Sequence, residues 1–469
     1  MLNIYDGVGN LPLSRRRLLE IGSLSLGGLT LPQILAAGAN SKSPNNPLKG
    51  KSVIFLFQQG GPSQLETFDP KPDAPSDIRT IGGTLPTSIP GVHFGSTMEQ
   101  LSKLAHKFVT VRSFATGNAG HNIQPIVSSS SKEANIGCHY SKVAGATNPQ
   151  TGTPHNAILY PRAVNAKVPG PSARGDLRAT GPYSSSYQPF IPGAGGKLQQ
   201  DMQLTLSRDR FLKDRRSLLA KLDQINRNAD CNGEFAALDD LQKQATELLL
   251  GGGVSKALDL ANEDPRTIEL YDTAKYHGKD AWNKVNRGKS GYYNAQASTI
   301  GKLLLTARRL CEAGCGFVTV HASYVGVWDM HADGNNLNMV DGMNAVGRSF
   351  DHAVAAFIKD TQARGLQDKI LLVCCGEMGR TPRINKRGGR DHWSRLSPLI
   401  MYGGGIGEGK VIGKSDKQGG EPADSPCNQR HLISSILSTL IDPTKLRLDP
   451  SAPPEVTELL SHPGIPGLA

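Results

Sequence analysis

Residues 370–406 read ILLVCCGEMGRTPRINKRGGRDHWSRLSPLIMYGGGI, and this stretch decides the predicted fold. It contains two short apolar runs, at 370–375 and 399–402, and each is followed by glycine. Short runs without a polar face are typical of strands that are buried on both sides of a parallel sheet. We therefore predict two parallel strands, joined by a polar loop that is rich in arginine.

The loop between the two runs carries acids and an imidazole, namely Glu377, Asp391 and His392. Open α/β sheets collect functional groups on loops beyond the carboxyl ends of their strands. Carboxylate and imidazole together suit a divalent metal ion. The alternative is an ordinary surface loop whose acids neutralise its basic residues. Those basic residues are Arg380, Arg383, Lys386, Arg387 and Arg390.

Strands and helices alternate along the rest of the chain. Apolar patterns predict strands at 53–57, 108–111 and 317–320, and helices at 97–106 (with Thr97 as its N-cap), 298–312, 339–364 and 429–441. Such alternation predicts a mainly parallel sheet with helices on both faces. Residues 127–200 show little periodicity, and 204–250 predict two amphipathic helices that form an insertion.

Candidate metal ligands follow each of these predicted strands. Glu66 and Asp69 follow the first strand, His121 follows the second, and Asp329 and His331 follow the third. If residues 329–331 are extended, the side chains of Asp329 and His331 point the same way. A single histidine is more often a structural residue than a ligand, so the recurrence at several strand ends carries the prediction.

The amino terminus indicates export. Residues 14–19 read SRRRLL and precede a mildly apolar stretch that ends in Ala-Gly-Ala at 37–39. This pattern predicts a twin-arginine signal peptide at 1–39 and a mature periplasmic or secreted protein at 40–469. The alternative is a first amphipathic helix with a chance arginine run. No later stretch has the roughly 20 apolar residues of a membrane helix.

The overall charge favours an anionic ligand. The chain has a formal net charge of +11, which attracts anions over long range. Nucleic acid is not the expected partner, because no recognised nucleic-acid-binding motif accompanies the charge.

An ordered set of motifs resembles a known family. The motifs are GGPSQLETFDPKP at 60–72, ARRLCEAGCGFVTV at 307–320, WDMH at 328–331, GEMGRTP at 376–382, GRDHW at 389–393 and YGGGIGEGKVIGKSD at 402–416. Together they resemble the bacterial family of domains of unknown function 1501 (DUF1501), grouped with the alkaline phosphatase and sulfatase superfamily. The resemblance covers residues 12–442. It implies a three-layer α/β/α fold and one or two divalent metal ions (Zn, Ca or Mn) that bind a phosphate or sulfate ester.

The resemblance transfers unevenly to individual residues. Glu377 is similar to the aspartate of the superfamily's Asp-His-Gly metal motif, although the histidine is missing. His392 resembles the late metal-ligand histidine, and Asp329 with His331 resembles the mid-chain pair. The sulfatase nucleophile position reads GHNIQP at 120–125, without Cys, Ser or Thr.

A second departure lies at the end of the first strand. Gln58 and Gln59 replace the paired aspartates that end this strand in sulfatases. Glu66 and Asp69 are the nearest carboxylates that could compensate for them.

Two functions therefore remain open, and so does the question of whether the protein is an enzyme. One is an exported metal-dependent hydrolase of sulfate or phosphate esters, acting on an anionic small molecule or glycan. Either a metal ion held by Asp329, His331, Glu377 and His392 activates water, or His121 acts as nucleophile or general base.

In the hydrolase reading, Arg112 and Arg380 are the candidate clamps for the anionic group. Ordinary salt bridges are the alternative role for both arginines. The second function is a non-catalytic, sulfatase-like protein that binds an anionic polymer or a partner at the cell surface. The missing nucleophile favours it.

Overall fold

The computed structural model describes residues 46–148, 151–192, 252–276, 287–322, 324 and 326–468. The predicted signal peptide at 1–39 and the predicted helical pair at 204–250 lie outside these residues, so both stay predictions. None of the described helices is both long enough and apolar enough to cross a membrane.

The described chain alternates between strands and helices. The strands are β1 Ser52–Phe57, β2 Thr84–Pro86, β3 His93–Gly95, β4 Val109–Val111, β5 Phe114–Ala115, β6 Asn156–Leu159, β7 Phe317–Val320, β8 Ile370–Cys375, β9 Gly379–Arg380, β10 His392–Trp393, β11 Leu399–Gly403, β12 Val411–Ile412, β13 Lys414–Ser415, β14 Pro422–Asp424 and β15 Cys427–Asn428. The α-helices are α1 Glu99–Lys103, α2 Ile136–Ala144, α3 Gly253–Leu258, α4 Pro265–Leu270, α5 Arg287–Glu312, α6 Met339–Gly342, α7 Arg348–Ala363, α8 Gln429–Leu440, α9 Pro443–Arg447 and α10 Pro454–Ser461.

A seven-stranded sheet in the order β12-β4-β11-β8-β1-β7-β6 forms the centre of the fold. Strand β1 runs parallel to both of its neighbours, with Val53 opposite Phe317 of β7 and Phe57 opposite Cys375 of β8. Strand β6 is parallel to β7, and β12 is parallel to β4. The prediction of a mainly parallel sheet is confirmed.

Strand β11 corrects one part of that prediction, because it runs antiparallel to β8 and β4. Leu399 lies opposite Cys375 on one side and opposite Val111 on the other. Both apolar runs are buried on two faces, and burial does not encode strand direction. A parallel pair needs a crossover connection, usually a helix, and residues 376–398 contain none. This loop therefore begins and ends at the same edge of the sheet.

The two faces of the sheet are covered by different helices, which confirms the three-layer α/β/α fold. Ile54 and Leu56 of β1 belong to a core that includes buried residues of α5 and α7. Val53, Phe55 and Phe57 point the other way, into a core shared with α8 and α10. Alternation along β1 thus fills both layers, as expected for a strand at the centre of a sheet.

Local differences from the predicted elements have physical causes. The helix predicted at 97–106 is shortened to α1, and no side-chain hydrogen bond from Thr97 caps it. The helix predicted at 339–364 is interrupted by a π-helical turn, Met343–Gly347. Strand β6 and helix α2 lie in the segment that shows little periodicity. Helix α2 has only nine residues, and six consecutive ones, 136–141, are buried.

Two glycines of α5 provide a test of the packing between this helix and the segment before it. A Cβ on Gly301 would overlap the carbonyl oxygen of Tyr271, whereas a Cβ on Gly291 would meet only Pro169 Cγ, at 3.6 Å. Gly301→Ala is expected to destabilise the protein by about 1–3 kcal/mol, since the overlap outweighs the gain in helix propensity. Gly291→Ala is expected to stabilise it by up to about 1 kcal/mol. Thermal unfolding of both variants would show opposite shifts, and equal shifts would contradict this packing.

Candidate metal centre

Three side chains from distant parts of the sequence meet at the carboxyl edge of the sheet. Asp329 lies in the loop after β7, His121 lies in the loop after β5, and His392 is in β10, between β8 and β11. Their possible ligand atoms all lie within 4.8 Å of one another. Among the described residues, this is the one group of histidine, cysteine and acidic side chains with such spacing.

The carboxylate of Asp329 is the hub of this cluster. Its Oδ2 lies 3.0 Å from His121 Nε2, and its Oδ1 lies 3.2 Å from His392 Nε2. Arg380 Nη2 donates to Oδ1 at 2.7 Å. Burial raises the pKa of Asp329, but the histidine hydrogen bonds and the Arg380 charge outweigh it and hold this pKa far below its usual range. Asp329 is therefore ionised, and it is 5% exposed.

His121 lies between two carboxylates. Its Nδ1 is 2.9 Å from Glu377 Oε1, and its Nε2 faces Asp329. Burial lowers the pKa of His121, yet its hydrogen bonds to Asp329 and Glu377 outweigh this effect and raise the pKa. A neutral imidazole has one N–H and cannot donate to both acids. Either the ring is protonated, or a cation stands between Nε2 and Asp329.

His392 has the same orientation relative to the hub. Its Nδ1 lies 2.9 Å from the carbonyl oxygen of Ala119, which can only accept, so Nδ1 carries the proton. In the neutral ring, the Nε2 lone pair then faces Asp329 Oδ1, which leaves two acceptors opposed at 3.2 Å. A metal ion between these two atoms would turn the opposition into two ligand bonds.

Glu377 contacts His121 on the side of the imidazole ring opposite Asp329. Its side chain is fully buried, and the backbone N–H of Gly60 donates to both of its oxygens, at 2.8 and 3.0 Å. Gly60 has φ +120°, and a Cβ there would come within 2.7–2.9 Å of the backbone of Trp328 and Asp329. Only glycine allows this close approach. Glu377 thus contacts His121 Nδ1, the nitrogen that points away from the cluster.

His331 lies at the open side of the cluster. Its Nε2 is 3.1 Å from Asp329 Oδ2, and its side chain is 23% exposed. Asn336 Nδ2 lies 3.2 Å from the same nitrogen and 3.4 Å from Asp329 Oδ2. The structure therefore brings His331 and Asp329 together, as the acid-x-imidazole spacing predicts.

The donor set fits a divalent metal ion. His121, Asp329 and His392 could supply three ligands, and two imidazoles with one carboxylate suit zinc. Metal-bound histidines usually donate their other N–H to a carboxylate or a carbonyl group. His121 does so to Glu377, and His392 does so to Ala119. In this arrangement Glu377 orients a ligand and is not itself one.

Other predicted metal residues are not brought to the cluster. Glu66 pairs with Arg390, whose Nη2 and Nε donate at 2.8 and 3.0 Å. Asp69 hydrogen-bonds with Ser415 and lies 3.2 Å from Lys71 Nζ.

The remaining acid, Asp391, points away from the cluster. It is exposed, and its Oδ1 accepts from Asn385 Nδ2 at 3.1 Å.

The two predicted clamping arginines also have protein partners. Arg112 donates to the carbonyl oxygens of Phe68 and His93, at 2.9 and 3.1 Å, and burial lowers its pKa.

Arg380 is fully buried in the wall of the centre. Besides Asp329, it donates to the backbone oxygens of Gly60, Gly61 and Arg390. These bonds occupy both terminal nitrogens and Nε, so Arg380 fixes Asp329 instead of facing open space.

Sequence reasoning missed several residues that hold the site. Gly60 belongs to the GGPSQLETFDPKP motif, but nothing in the sequence indicates that its N–H bonds to Glu377. Asn336 is a single amide in a polar loop and gives no sequence signal. Lys289, near the start of α5, hydrogen-bonds to Asn336 Oδ1. A Cβ on Gly326 would lie 2.8 Å from Lys289 Nζ and 3.7 Å from Asp329 Cβ, so this ammonium borders the centre.

Comparison with known proteins identifies a family but not an activity. The model of the family described as "Protein of unknown function (DUF1501)" matches residues 50–454. No curated protein matches the chain significantly.

Solved structures that resemble the chain include a sulfatase, a protein in complex with k-i-k-neocarrahexaose and a phosphonate monoester hydrolase. The PsFucS1 sulfatase from Pseudoalteromonas sp. is 13% identical, with 87% of this chain and 70% of that chain covered and a TM-score of 0.32. Ps i-CgsB in complex with k-i-k-neocarrahexaose is 9% identical, with 83% and 71% covered and a TM-score of 0.34. The phosphonate monoester hydrolase SpPMH from Silicibacter pomeroyi is 10% identical, with 82% and 72% covered and a TM-score of 0.27. Scores this low carry no argument about function.

Metal content provides a direct test of the centre. We expect the purified mature protein to retain Zn²⁺ or a similar ion, and Asp329→Asn to weaken metal affinity by at least about 100-fold. This exceeds the roughly 10–100-fold loss that follows removal of a group that only supports a ligand. Asp391→Asn is the matched control, because Asp391 neighbours His392 in sequence but points away. Equal metal in both variants, measured by elemental analysis, would contradict the assignment.

The ion pair between Glu66 and Arg390 is expected to be structural. Glu66 is 4% exposed and Arg390 is fully buried, so Glu66→Gln leaves an uncompensated buried charge and is expected to cost about 3–5 kcal/mol. The control is Asp77→Asn, which breaks an ion pair with Arg383 whose side chains are 45% and 76% exposed. That change is expected to cost about 0–1 kcal/mol. Urea unfolding measures both, and similar losses would refute this role of Glu66.

Proposed function

Because the chain belongs to the DUF1501 family of proteins of unknown function, its reaction must be argued from its own site. We propose that it is an exported, metal-dependent hydrolase of anionic esters, with sulfate or phosphate esters as substrates. The observation that carries this proposal is the convergence of His121, Asp329 and His392 within ligand distance of one another. Export rests on the predicted twin-arginine signal.

The charges around the cluster support an anionic substrate. When bound, a divalent metal ion supplies a Lewis acid that polarises an ester oxygen and lowers the pKa of water. Its charge together with Arg380 outweighs the charges of Asp329 and Glu377, which leaves the centre positive. Lys289 adds a cation at the border, and it has no carboxylate partner within 4 Å among the described residues. Lys289 is thus better placed than Arg380 to meet an anion.

Each residue of the chain has a distinct role in this proposal. His121, Asp329 and His392 hold the ion, while Glu377 and Ala119 fix the protons on the two Nδ1 atoms. We assign proton transfer to His331, because it is partly exposed and its Nε2 lies 3.1 Å from Asp329 Oδ2 at the open side of the cluster. His121 is therefore proposed as a ligand rather than as the nucleophile.

A second candidate is a non-catalytic protein that binds an anionic polymer or partner. The contacts of Gln59 favour this candidate, because other residues of the protein already satisfy the hydrogen bonds of its side-chain amide. Its Nε2 donates to Asn122 O at 2.6 Å, and its Oε1 lies 3.2 Å from Arg174 N and 3.0 Å from His321 Nε2. Where sulfatases place a metal-binding acid, this chain has a structural amide.

Hydrolysis of aryl sulfates and aryl phosphates by the metal-loaded protein tests the proposal. We expect turnover of at least one class, and we expect Asp329→Asn to lower kcat/KM by at least about 100-fold, or about 2.7 kcal/mol in transition-state free energy. Asp391→Asn is expected to keep wild-type activity. A metal-loaded wild type without turnover on any ester, but with saturable binding of a sulfated polymer, would favour the second candidate and overturn the first.

A further inference from the structure

A separate cavity of about 200 Å³ lies near the loop of residues 376–398, whose Gly388 and Arg390 contact the cavity residues Met339 and Glu66. Its wall includes Ser96 and Thr97, which precede α1, and Met339 of α6. Helices α1 and α7 precede β4 and β8, which run in the same direction because β11 is antiparallel to both. The amino-terminal ends of these helices therefore lie at the same edge of the sheet as the metal centre. At about 30 Å³ per water molecule, the volume holds on the order of six or seven waters. A single sugar ring has this size.

The π-helical turn at residues 343–347 forms one wall of the cavity. Met343 and Asn344 of this turn line it. A π turn is rare, because it disrupts the regular helical hydrogen bonds. Where one does occur, it is frequently at a functional site. Asn344 is exposed at the cavity, while the other four residues of the turn are buried. The amide of Asn344 can both donate and accept hydrogen bonds, as sugar hydroxyls require.

The floor of the cavity is polar but electrically balanced. Glu66 lies there, and Arg390 neutralises its charge. Thr80, which also lines the cavity, donates to Glu66 Oε2 at 2.6 Å. Thr97 is 8% exposed, and its hydroxyl has no hydrogen-bond partner in the part of the chain that the structure describes. The floor therefore offers fixed polar groups without a net charge.

The rim carries an uncompensated cation. Arg348 is exposed, and its Nε donates to Asn344 Oδ1 at 3.0 Å. No acid lies within ion-pair distance of Arg348 among the described residues, so its guanidinium is available to an anion. A guanidinium group binds carboxylate or sulfate oxygens in a two-pronged geometry. The remaining wall is apolar, with Met339, Met343 and the 42% exposed Val340.

We propose that this cavity binds one sugar unit that carries a carboxylate or sulfate group. The anionic group contacts Arg348, the hydroxyls contact Asn344 and Thr97, and the apolar face of the ring packs on Met339 and Met343. The same chemistry fits a free acidic monosaccharide or one unit of an acidic glycan. We assign the glycan, and this part of the assignment rests on the proposed hydrolase function.

Contacts between buried groups connect the cavity to the metal centre. Arg390 pairs with Glu66 at the cavity floor, and its carbonyl oxygen accepts from Arg380 Nη1 at 3.1 Å. Arg380 in turn holds Asp329. The cavity wall also contacts the loop of residues 376–398, which carries His392, since Met339 N donates to Gly388 O at 3.0 Å. A glycan that reaches both places would be held at one unit while another unit meets the metal centre.

The test is calorimetric titration of the mature protein with glucuronate, glucose 6-sulfate and glucose. Both acidic sugars are expected to bind at least tenfold more tightly than glucose. Arg348→Gln is expected to remove that preference, because a hydrogen bond to a charged group is worth about tenfold or more in affinity. Asn344→Ala is expected to weaken the binding of all three sugars. Arg430→Gln, at an exposed arginine of α8 on the other face of the sheet, is the matched control and should bind like wild type.

The outcomes separate this proposal from the proposed function. No saturable sugar binding, or equal losses in Arg348→Gln and Arg430→Gln, would overturn the cavity assignment even if aryl esters are hydrolysed. Sugar binding that persists in Asp329→Asn supports the assignment independently of catalysis. Acidic oligosaccharides should bind at least as tightly as the monosaccharides, and their exclusion would overturn the assignment of a glycan.

Discussion

The Asp329 carboxylate is the group on which the arrangement of the site depends. Three imidazoles and one guanidinium point at its two oxygens, although it is almost fully buried. An ionised carboxylate in such a place is stable only when cations or donors surround it. Arg380 supplies a fixed cation, and its other bonds to Gly60, Gly61 and Arg390 hold Asp329 against the backbone of two loops. The histidines are then positioned by Asp329 on one side and by Glu377 and Ala119 on the other.

The sheet makes this convergence possible. Strands β7 and β8 flank β1 in parallel, so the loops after them start at one edge. The reversal of β11 returns residues 376–398 to that same edge, and His392 is kept beside Asp329. Gly60 adds the third loop, because the absence of a side chain lets its backbone pack on Trp328 and Asp329. Strand direction and one glycine therefore set the distances between the candidate metal ligands.

Much of this architecture follows from the sequence. Apolar runs located β1, β7, β8 and β11, and their alternation with helices gave the three layers. The direction of β11 did not follow, since a strand buried on both faces has the same pattern in either direction. Helix α2 was missed because it has only nine residues and lies in a segment rich in Ser, Gly and Pro, where the pattern of so short a helix is hard to distinguish.

The sequence predicts part of the site, namely the residues that follow strands. Asp329, His331, His392 and His121 stood at strand ends, and the structure brings them together. Glu66 and Asp69 stood at a strand end too, yet arginine and serine partners from distant segments hold them elsewhere. Strand position shows which edge a residue occupies, but the pairing of buried charges depends on contacts that no single sequence reveals. The support from Gly60 N–H and Asn336 was invisible for the same reason.

The most direct test of the account is the position of the metal ion itself. Crystals of the mature protein grown with Zn²⁺ can be measured at the zinc absorption edge, where the ion gives an anomalous peak. We expect a peak within ligand distance of His121 Nε2, His392 Nε2 and an oxygen of Asp329, with Glu377 still hydrogen-bonded to His121 Nδ1. A peak at Glu66 or Asp69, or none at the His121–Asp329–His392 cluster, would contradict it.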